Sequence, residues 1–340
     1  MRKLYLKSGS SEDYKNWLSL LEREGIKGEN TIQDTFGIYE DDRLIATASR
    51  FQNIIKCVAI DSAFQGTNVF NELITHLYNE VLNAGFSSCY VYTKKSAKKA
   101  FTYVGFKELE QVDNKLYFME NASSGFEAYL NNLGKQKVEG ERIAAIVMNA
   151  NPFTKGHLFL VTKASEENDV VHLFVLSEDI SVFSGKDRLD LVKKGTAHLK
   201  NVYIHETSSY MVSAATFPSY FLKEDDNITE IQARLDARLF KNHIAKVLGI
   251  NTRYVGSEPF SVATNIYNNA MKKEFESAIN LKVFERIGID EEIVSASRVR
   301  ELLEQGDIEA ACKLVPPPTC EFFHSEKGAK VIEKIKQSAN

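Results

Sequence analysis

The chain reads as an α/β protein in two parts, an N-terminal mixed sheet with helices and a C-terminal doubly wound parallel sheet. Three observations predict this. Strand-like and helix-like segments alternate along the chain. A polar, Ser- and Gly-containing break at Asn121-Ala-Ser-Ser-Gly125 divides it. Beyond the break, the apolar run Arg142-Ile-Ala-Ala-Ile-Val-Met148 feeds a turn and a helix that opens near Gly156-His157. A strand feeding a Gly-containing turn and a helix start is how α/β proteins build phosphate sites, because free amides and the positive end of the helix dipole point at the ligand.

Length and composition bound the rest. A chain of 340 residues accommodates about two domains of ~100–200 residues each. A hydrophobic share of 44% and a charged share of 26% are ordinary for a globular protein. A net charge of −4 gives no electrostatic reason to expect nucleic acid. No apolar run approaches the ~18–20 residues of a membrane span, and the start, Met1-Arg-Lys-Leu-Tyr-Leu-Lys-Ser-Gly9, lacks a signal-peptide core. Neither nucleic acid nor membrane is expected as a partner, and the expected location is cytoplasmic. Cys57, Cys89, Cys312 and Cys320 are scattered without a C-x-x-C pair, so they are expected as free or buried thiols and not as disulfides or zinc ligands.

In residues 1–120, Phe36 to Ser49 reads as a hairpin turning at Glu40-Asp-Asp42, and Asn53 to Ile60 as a further strand. Val69, Leu73, Ile74, Leu77, Val81 and Leu82 recur at helical spacing, with Gly85 as the stop. Ser88 to Thr93 is another strand, and a short helix follows, on which Tyr103 reads as a packing residue more than as a general acid. Val58-Ala-Ile-Asp-Ser-Ala-Phe-Gln-Gly66 leading into the long helix, and Phe101-Thr-Tyr-Val-Gly-Phe106, resemble the GCN5-related N-acetyltransferase fold. That family holds an acyl-CoA pyrophosphate on a turn reading Q/R-x-x-G-x-G/A. Here Gln65, Gly66 and Thr67 mark the corresponding acyl or CoA-arm turn, but Asn68 and Phe70 stand at both glycine positions. Side chains there obstruct close approach of a pyrophosphate, so a binding or positioning role is expected at least as much as acetyl transfer.

Residues 121–141 read as a linker that includes a short amphipathic helix at Phe126–Leu133, and residues 142–340 as the second domain. In that domain Thr154-Lys-Gly-His157 opens a helix: Gly156 permits close backbone approach and His157 places an imidazole donor where a phosphate would lie. Val170 to Leu176 is a near-continuous apolar strand, as a parallel sheet covered on both faces requires. A capped helix begins at Ser184, where Lys186 and Arg188 read as a solvated face more than as an aid to phosphate binding, and Asn201 to His205 is the next strand. Another strand ends in a loop at Gly256-Ser-Glu-Pro259. Ile293-Val-Ser-Ala-Ser-Arg-Val-Arg300 is a second phosphate candidate, with Ser295 and Ser297 at the start of a helix running through Val299, Leu302 and Leu303. Val315-Pro-Pro-Pro-Thr319 reads as a rigid stop to the last domain helix, and Glu326 to Lys336 as a solvated terminal helix.

The pair T-x-G-H and S-x-S-x-x-R resembles the nucleotidyltransferase superfamily, with its HIGH-type, Rossmann-like domain. Wider blocks, Asn149 to His157, Ser213 to Lys223, Arg253 to Pro259, Tyr267-Asn268 and Val294 to Arg300, together resemble the citrate lyase ligase family, in which an acetyltransferase-like domain precedes the nucleotidyltransferase domain. The resemblance implies that His157 and Thr154 act at the reacting phosphate. It implies that Asn151, Phe153, Gly156, Ser295, Ser297, Arg300 and Glu258 bind nucleotide or phosphate. It further implies ATP, with magnesium carried by the triphosphate and not by protein ligands, and acetate as the acid. The acceptor is then the thiol of the CoA-like prosthetic group on the citrate lyase acyl carrier subunit, so no enzyme cysteine is needed. Two alternatives stay open on the motifs alone: an adenylyl- or cytidylyltransferase of cofactor synthesis, and a non-catalytic acyl-CoA or nucleotide sensor.

Overall fold

A computed structural model describes residues 1–6, 11–29, 31–177, 181–208, 210–211, 227–257, 262–285, 287–289 and 292–338. The chain forms two compact units: residues 1–132 with 214–239, and residues 133–213 with 240–340. Among the described residues no helix is long and apolar enough to cross a membrane.

The first unit contains β1 (Arg2–Leu4), α1 (Glu12–Arg23), β2 (Asp34–Glu40), β3 (Arg43–Phe51), β4 (Ile54–Ile60), α2 (Val69–Asn83), β5 (Ser88–Thr93), α3 (Lys95–Tyr103), β6 (Lys107–Val112) and β7 (Leu116–Ala122). The strands form one sheet in the order β1-β2-β3-β4-β5-β7-β6. All pairs are antiparallel except β4 with β5, which join only at Ile54–Tyr90 and Ile55–Val91. The β2–β3 hairpin turns at Asp41 and Asp42, both at positive φ, a conformation that short acidic side chains tolerate. In β4 a bulge opposite Ala48 puts Cys57 at φ 50°. A bulge inserts one residue and so changes which side chains face which layer. Ile55 joins the core under Leu73, Ile74, Leu77 and Val81 of α2, whereas Cys57 and Ala59 join the core under Trp17, Leu20 and Leu21 of α1. Tyr103, read as a packing residue, is 81% exposed.

The expected linker is mostly ordered structure. β7 reaches Ala122, and α4 (Gly125–Gly134) buries Phe126 and Leu133, with the Glu120 carboxylate accepting from the Phe126 amide at 2.8 Å. A helix from the second half of the sequence, residues 228–239, also belongs to the first unit. Its Arg234 forms an ion pair with Asp113, and Arg238 Nη1 donates to the Gln111 carbonyl at 3.0 Å.

The second unit begins with β8 (Ile143–Met148), α5 (Lys155–Glu167), β9 (Val170–Val175), α6 (Gly185–Thr196) and β10 (Val202–Glu206). After the helix that joins the first unit, α7 (Ile228–Leu239), come α8 (Ala245–Leu248), β11 (Thr252–Gly256), α9 (Val262–Phe275), β12 (Asn280–Phe284), and the short pair β13 (Gly288–Ile289) and β14 (Glu292–Ile293). Four helices close the chain: α10 (Ala296–Gln305), α11 (Ile308–Lys313), α12 (Pro317–Phe323) and α13 (Glu326–Ser338). The sheet is wholly parallel in the order β10-β9-β8-β11-β12. Strand order reverses between β8 and β11, so the crevice beyond their carboxyl ends is where such a sheet binds ligands.

Three expectations about the C-terminal segments change. The proline run ends α11 but also starts α12, where Pro317 at the first helical position has no amide to leave unsatisfied. The terminal helix buries Val331, Ile332 and Ile335 in the main core and is not merely a solvated helix. Cys312 and Cys320 are joined by a disulfide, because the turn between α11 and α12 brings their Cα atoms to 4.9 Å; Cys57 and Cys89 are buried free thiols.

Candidate active site

The loop after β8 is held in an unusual path by its own residues. Ala150 sits at φ 50°, and the Asn151–Pro152 peptide bond is cis. Asn151 Oδ1 accepts from the Phe183 amide at 3.2 Å. Arg188 is fully buried beneath this loop, with Nε donating to the Phe183 carbonyl at 3.1 Å and Nη1 donating to the Asn149 carbonyl at 2.9 Å and to Asn149 Oδ1 at 2.6 Å. The sequence reading placed Arg188 on a solvated face. Its position at the start of α6 is one turn from Ser184, and the register turns it inward, where loop carbonyls need a donor fork.

Thr154 caps α5. Its hydroxyl accepts from the His157 amide at 3.3 Å, and its own amide donates to His157 Nδ1 at 3.1 Å, a reciprocal capping box with histidine in place of the usual Glu or Gln. Since Nδ1 accepts that bond, the neutral ring carries its proton on Nε2. The capping box therefore fixes both the orientation and the tautomer of the imidazole. Phe153 lies 5.9 Å from the ring at 10° between planes and is itself 0% exposed, wedged against Gly195, where a Cβ would approach the Phe153 ring to 2.6 Å. The structure thus places Phe153 beneath His157 as a support.

The second motif begins α10. Ser295 is the N-cap, its hydroxyl accepting from the Arg298 amide at 3.0 Å. Ser297 is exposed. The two motifs meet in two places. A Cβ on Gly156 would lie 3.3 Å from the Val294 carbonyl oxygen, so glycine allows the two helix starts to approach. Arg300 spans them: Nη1 donates to the Asn151 carbonyl at 2.6 Å and Nη2 to Ser297 Oγ at 3.1 Å. Burial lowers its pKa, yet a guanidinium keeps its charge. The backbone amide of Gly156 in α5, and those of Ala296 and Ser297 in α10, have no partner among the described residues. Two open helix starts, a guanidinium and an oriented imidazole N–H make a surface suited to several phosphate oxygens.

These arrangements lie within a segment, residues 143–323, that matches the family model described as the citrate lyase ligase C-terminal domain. Curated relatives extend the match over most of the chain. The citrate pro-3S-lyase ligase of Escherichia coli is 36% identical over 325 residues, covering 92% of each chain. That of Klebsiella pneumoniae is 38% identical, covering 83% of this chain and 84% of its own. That of Haemophilus influenzae is 34% identical, covering 84% and 88%. The chain belongs to the citrate lyase ligase family. It is accordingly an enzyme of the ligase class, and the pair Thr154-x-Gly-His157 with Ser295 to Arg300 is the part the structure draws together.

The remaining expected site residues are placed as follows. Glu258 and the block Ser213 to Lys223 lie outside the described residues. In the first unit, Gln65 Nε2 donates to Glu24 Oε2 at 3.2 Å and to the Ile60 carbonyl at 3.3 Å, and Thr67 Oγ1 donates to the Phe64 carbonyl at 2.6 Å. Gly66 turns the chain at φ 85°. Phe70, at one of the family's glycine positions, packs edge-on against Phe101 at 5.1 Å. These side-chain bonds shape the turn. Sequence reasoning did not see Arg188 as a support of the loop at Asn149, since a charge at a helix start carries no sign of which way it faces. It also missed Thr319, whose buried hydroxyl donates to the Phe153 carbonyl at 3.0 Å.

Proposed function

We propose that the second unit adenylates acetate with ATP and that the acetyl group is then captured by the prosthetic-group thiol of the citrate lyase acyl carrier subunit. The observation that carries this reading is the Arg300 bridge between the two helix starts, which gathers donors where a triphosphate would lie. An acetate oxygen attacks the α-phosphorus, the bond to the β-phosphate oxygen breaks and pyrophosphate leaves. The carrier thiol gives up its proton, its sulfur attacks the acetyl carbonyl, and AMP departs. In this reading the Nε2–H of His157 and the Gly156 amide donate to the reacting phosphate, while Ser295, Ser297 and Arg300 hold the pyrophosphate. Such catalysis acts by positioning and by stabilising charge as it develops.

Among the described residues, no three carboxylates converge with metal-ligand spacing; the one converging group is Cys312, Cys320 and His324. Magnesium would be carried by the triphosphate oxygens, where it would supply charge neutralisation. For the first unit we infer a grip on the CoA-like arm or its carrier near Gln65, Gly66 and Thr67. Because residues 228–239 pack on this unit, point variants serve better than deletion. Thr67→Arg is expected to raise KM for the carrier and leave KM for ATP unchanged.

Pyrophosphate and AMP release by the full chain test the main reading. Acetate alone should support adenylate formation, and AMP release should require the carrier thiol. His157→Ala should abolish both with the circular dichroism spectrum unchanged. Dependence on a phosphorylated cofactor precursor, or normal turnover by the variant, overturns the proposal.

A further inference from the structure

The turn closed by the Cys312–Cys320 disulfide grips the loop that carries Thr154 and His157. Leu314, Val315 and Thr319 within that turn are buried. The Leu314 carbonyl accepts from the Lys155 amide at 3.0 Å, satisfying one of the orphan donors of α5. Thr319 Oγ1 donates to the Phe153 carbonyl at 3.0 Å. Thr154 is thus flanked on both sides by hydrogen bonds to one short bridged segment. Both cysteines are half-buried, and His324 Nε2 lies 3.9 Å from Cys312 Sγ. Cys57 and Cys89 are fully buried. Among the four cysteines, chemistry with a dissolved thiol is open to this pair alone.

We propose that Cys312 and Cys320 form a reversible thiol–disulfide modification site whose state sets how firmly the adenylation loop is held. The partner is a dithiol reductant. Its thiolate attacks Cys320 Sγ, the S–S bond breaks, and Cys312 leaves as a thiolate, which takes a proton from solvent. The reductant's second thiol then displaces Cys320, leaving two protein thiols and an oxidised reductant. Two electrons and two protons pass to the protein. Opening the bridge frees α11 and α12 to separate, and with them the Leu314 and Thr319 anchors. Small displacements of catalytic groups cost rate steeply.

The inference rests on reading Thr154 to His157 as the adenylation loop, so the test pairs activity with readouts that do not depend on that reading. The full chain is treated with dithiothreitol or left untreated. Native maleimide labelling, read by mass spectrometry, should find both Cys312 and Cys320 modified only after reduction. Amide exchange at Lys155 should accelerate on reduction, and pyrophosphate release should fall about ten-fold. The Cys312→Ser, Cys320→Ser double variant should be slow and indifferent to reductant, and Thr319→Val should reproduce the slow phenotype with the bridge intact. Free thiols at both positions without reductant overturn the proposal, as does unchanged Lys155 exchange after reduction. Stoichiometric zinc on the reduced protein would instead make the cluster a metal site and also overturn it. If exchange responds but no adenylation is seen in any state, the clasp stands and the adenylation reading fails.

Discussion

Arg300 is the residue on which the geometry of the site depends most directly, and its replacement by lysine gives a quantitative test. The guanidinium makes two bonds at once, to the Asn151 carbonyl at 2.6 Å and to Ser297 Oγ at 3.1 Å. An ammonium on a flexible stem can keep the charge and one of these bonds but cannot span both. A hydrogen bond from a charged group contributes about 1.5–3 kcal/mol, and a half-buried one lies toward the lower end. Losing one bond in the transition-state complex therefore costs about 1.5 kcal/mol, or roughly ten-fold in kcat/KM. Arg300→Met removes both bonds and the charge, for about 3 kcal/mol or more and at least a hundred-fold loss. Neither change touches the apolar core, so the urea midpoint should shift by no more than the equivalent of about 1 kcal/mol. The assay is acetate-dependent pyrophosphate release at varied ATP, with unfolding measured in parallel. Arg300→Lys retaining activity within about two-fold of the parent, or losses that merely track destabilisation, would refute the reasoning.

Other outcomes follow from the same contacts. Arg188→Met leaves the Phe183 and Asn149 carbonyls without their buried donor and should cost about 3 kcal/mol in urea unfolding, whereas Lys186→Ala should be neutral. Gly156→Ala removes a helical glycine, worth about 0.5–1 kcal/mol, but its methyl would press on the Val294 carbonyl at 3.3 Å and fill the space between the motifs; the protein should unfold much as the parent does while pyrophosphate release falls. Burial pushes His172 and His205, bonded to each other at 2.8 Å, down to about 4 each, the neighbouring imidazole adding to the effect on His172. The folded state keeps them neutral while the unfolded chain takes up protons near pH 6.5. Their contribution is therefore whole above about pH 6.5 and is lost as pH falls toward about 4, at about 1.4 kcal/mol per pH unit per imidazole. Unfolding midpoints across that window should flatten in His172→Phe with His205→Leu; an unchanged slope would contradict the assignment.

Local signals were sufficient for the elements around the site. Hydrophobic period, the β2–β3 turn residues, the Thr154 and Ser295 caps and the apolar strands β8 and β9 are all encoded within a few residues of where they act, so the alternating α/β plan and both helix starts of the candidate site were legible in the chain. Family membership was legible as well: the family read from the motif blocks is the one that the relatives belong to. What lay beyond the sequence were relations between distant residues. Whether Arg188 faces water or the Asn149 carbonyl depends on how α6 rolls against the loop after β8. Whether Cys312 and Cys320 meet depends on a turn that the prolines both end and begin. That residues 228–239 belong with the first unit depends on Asp113 awaiting Arg234. The one-dimensional pattern carries spacing and polarity; orientation and pairing arise only when packed surfaces select one arrangement, and it is those pairings, Arg300 to Asn151 above all, that turn two helix starts into one site.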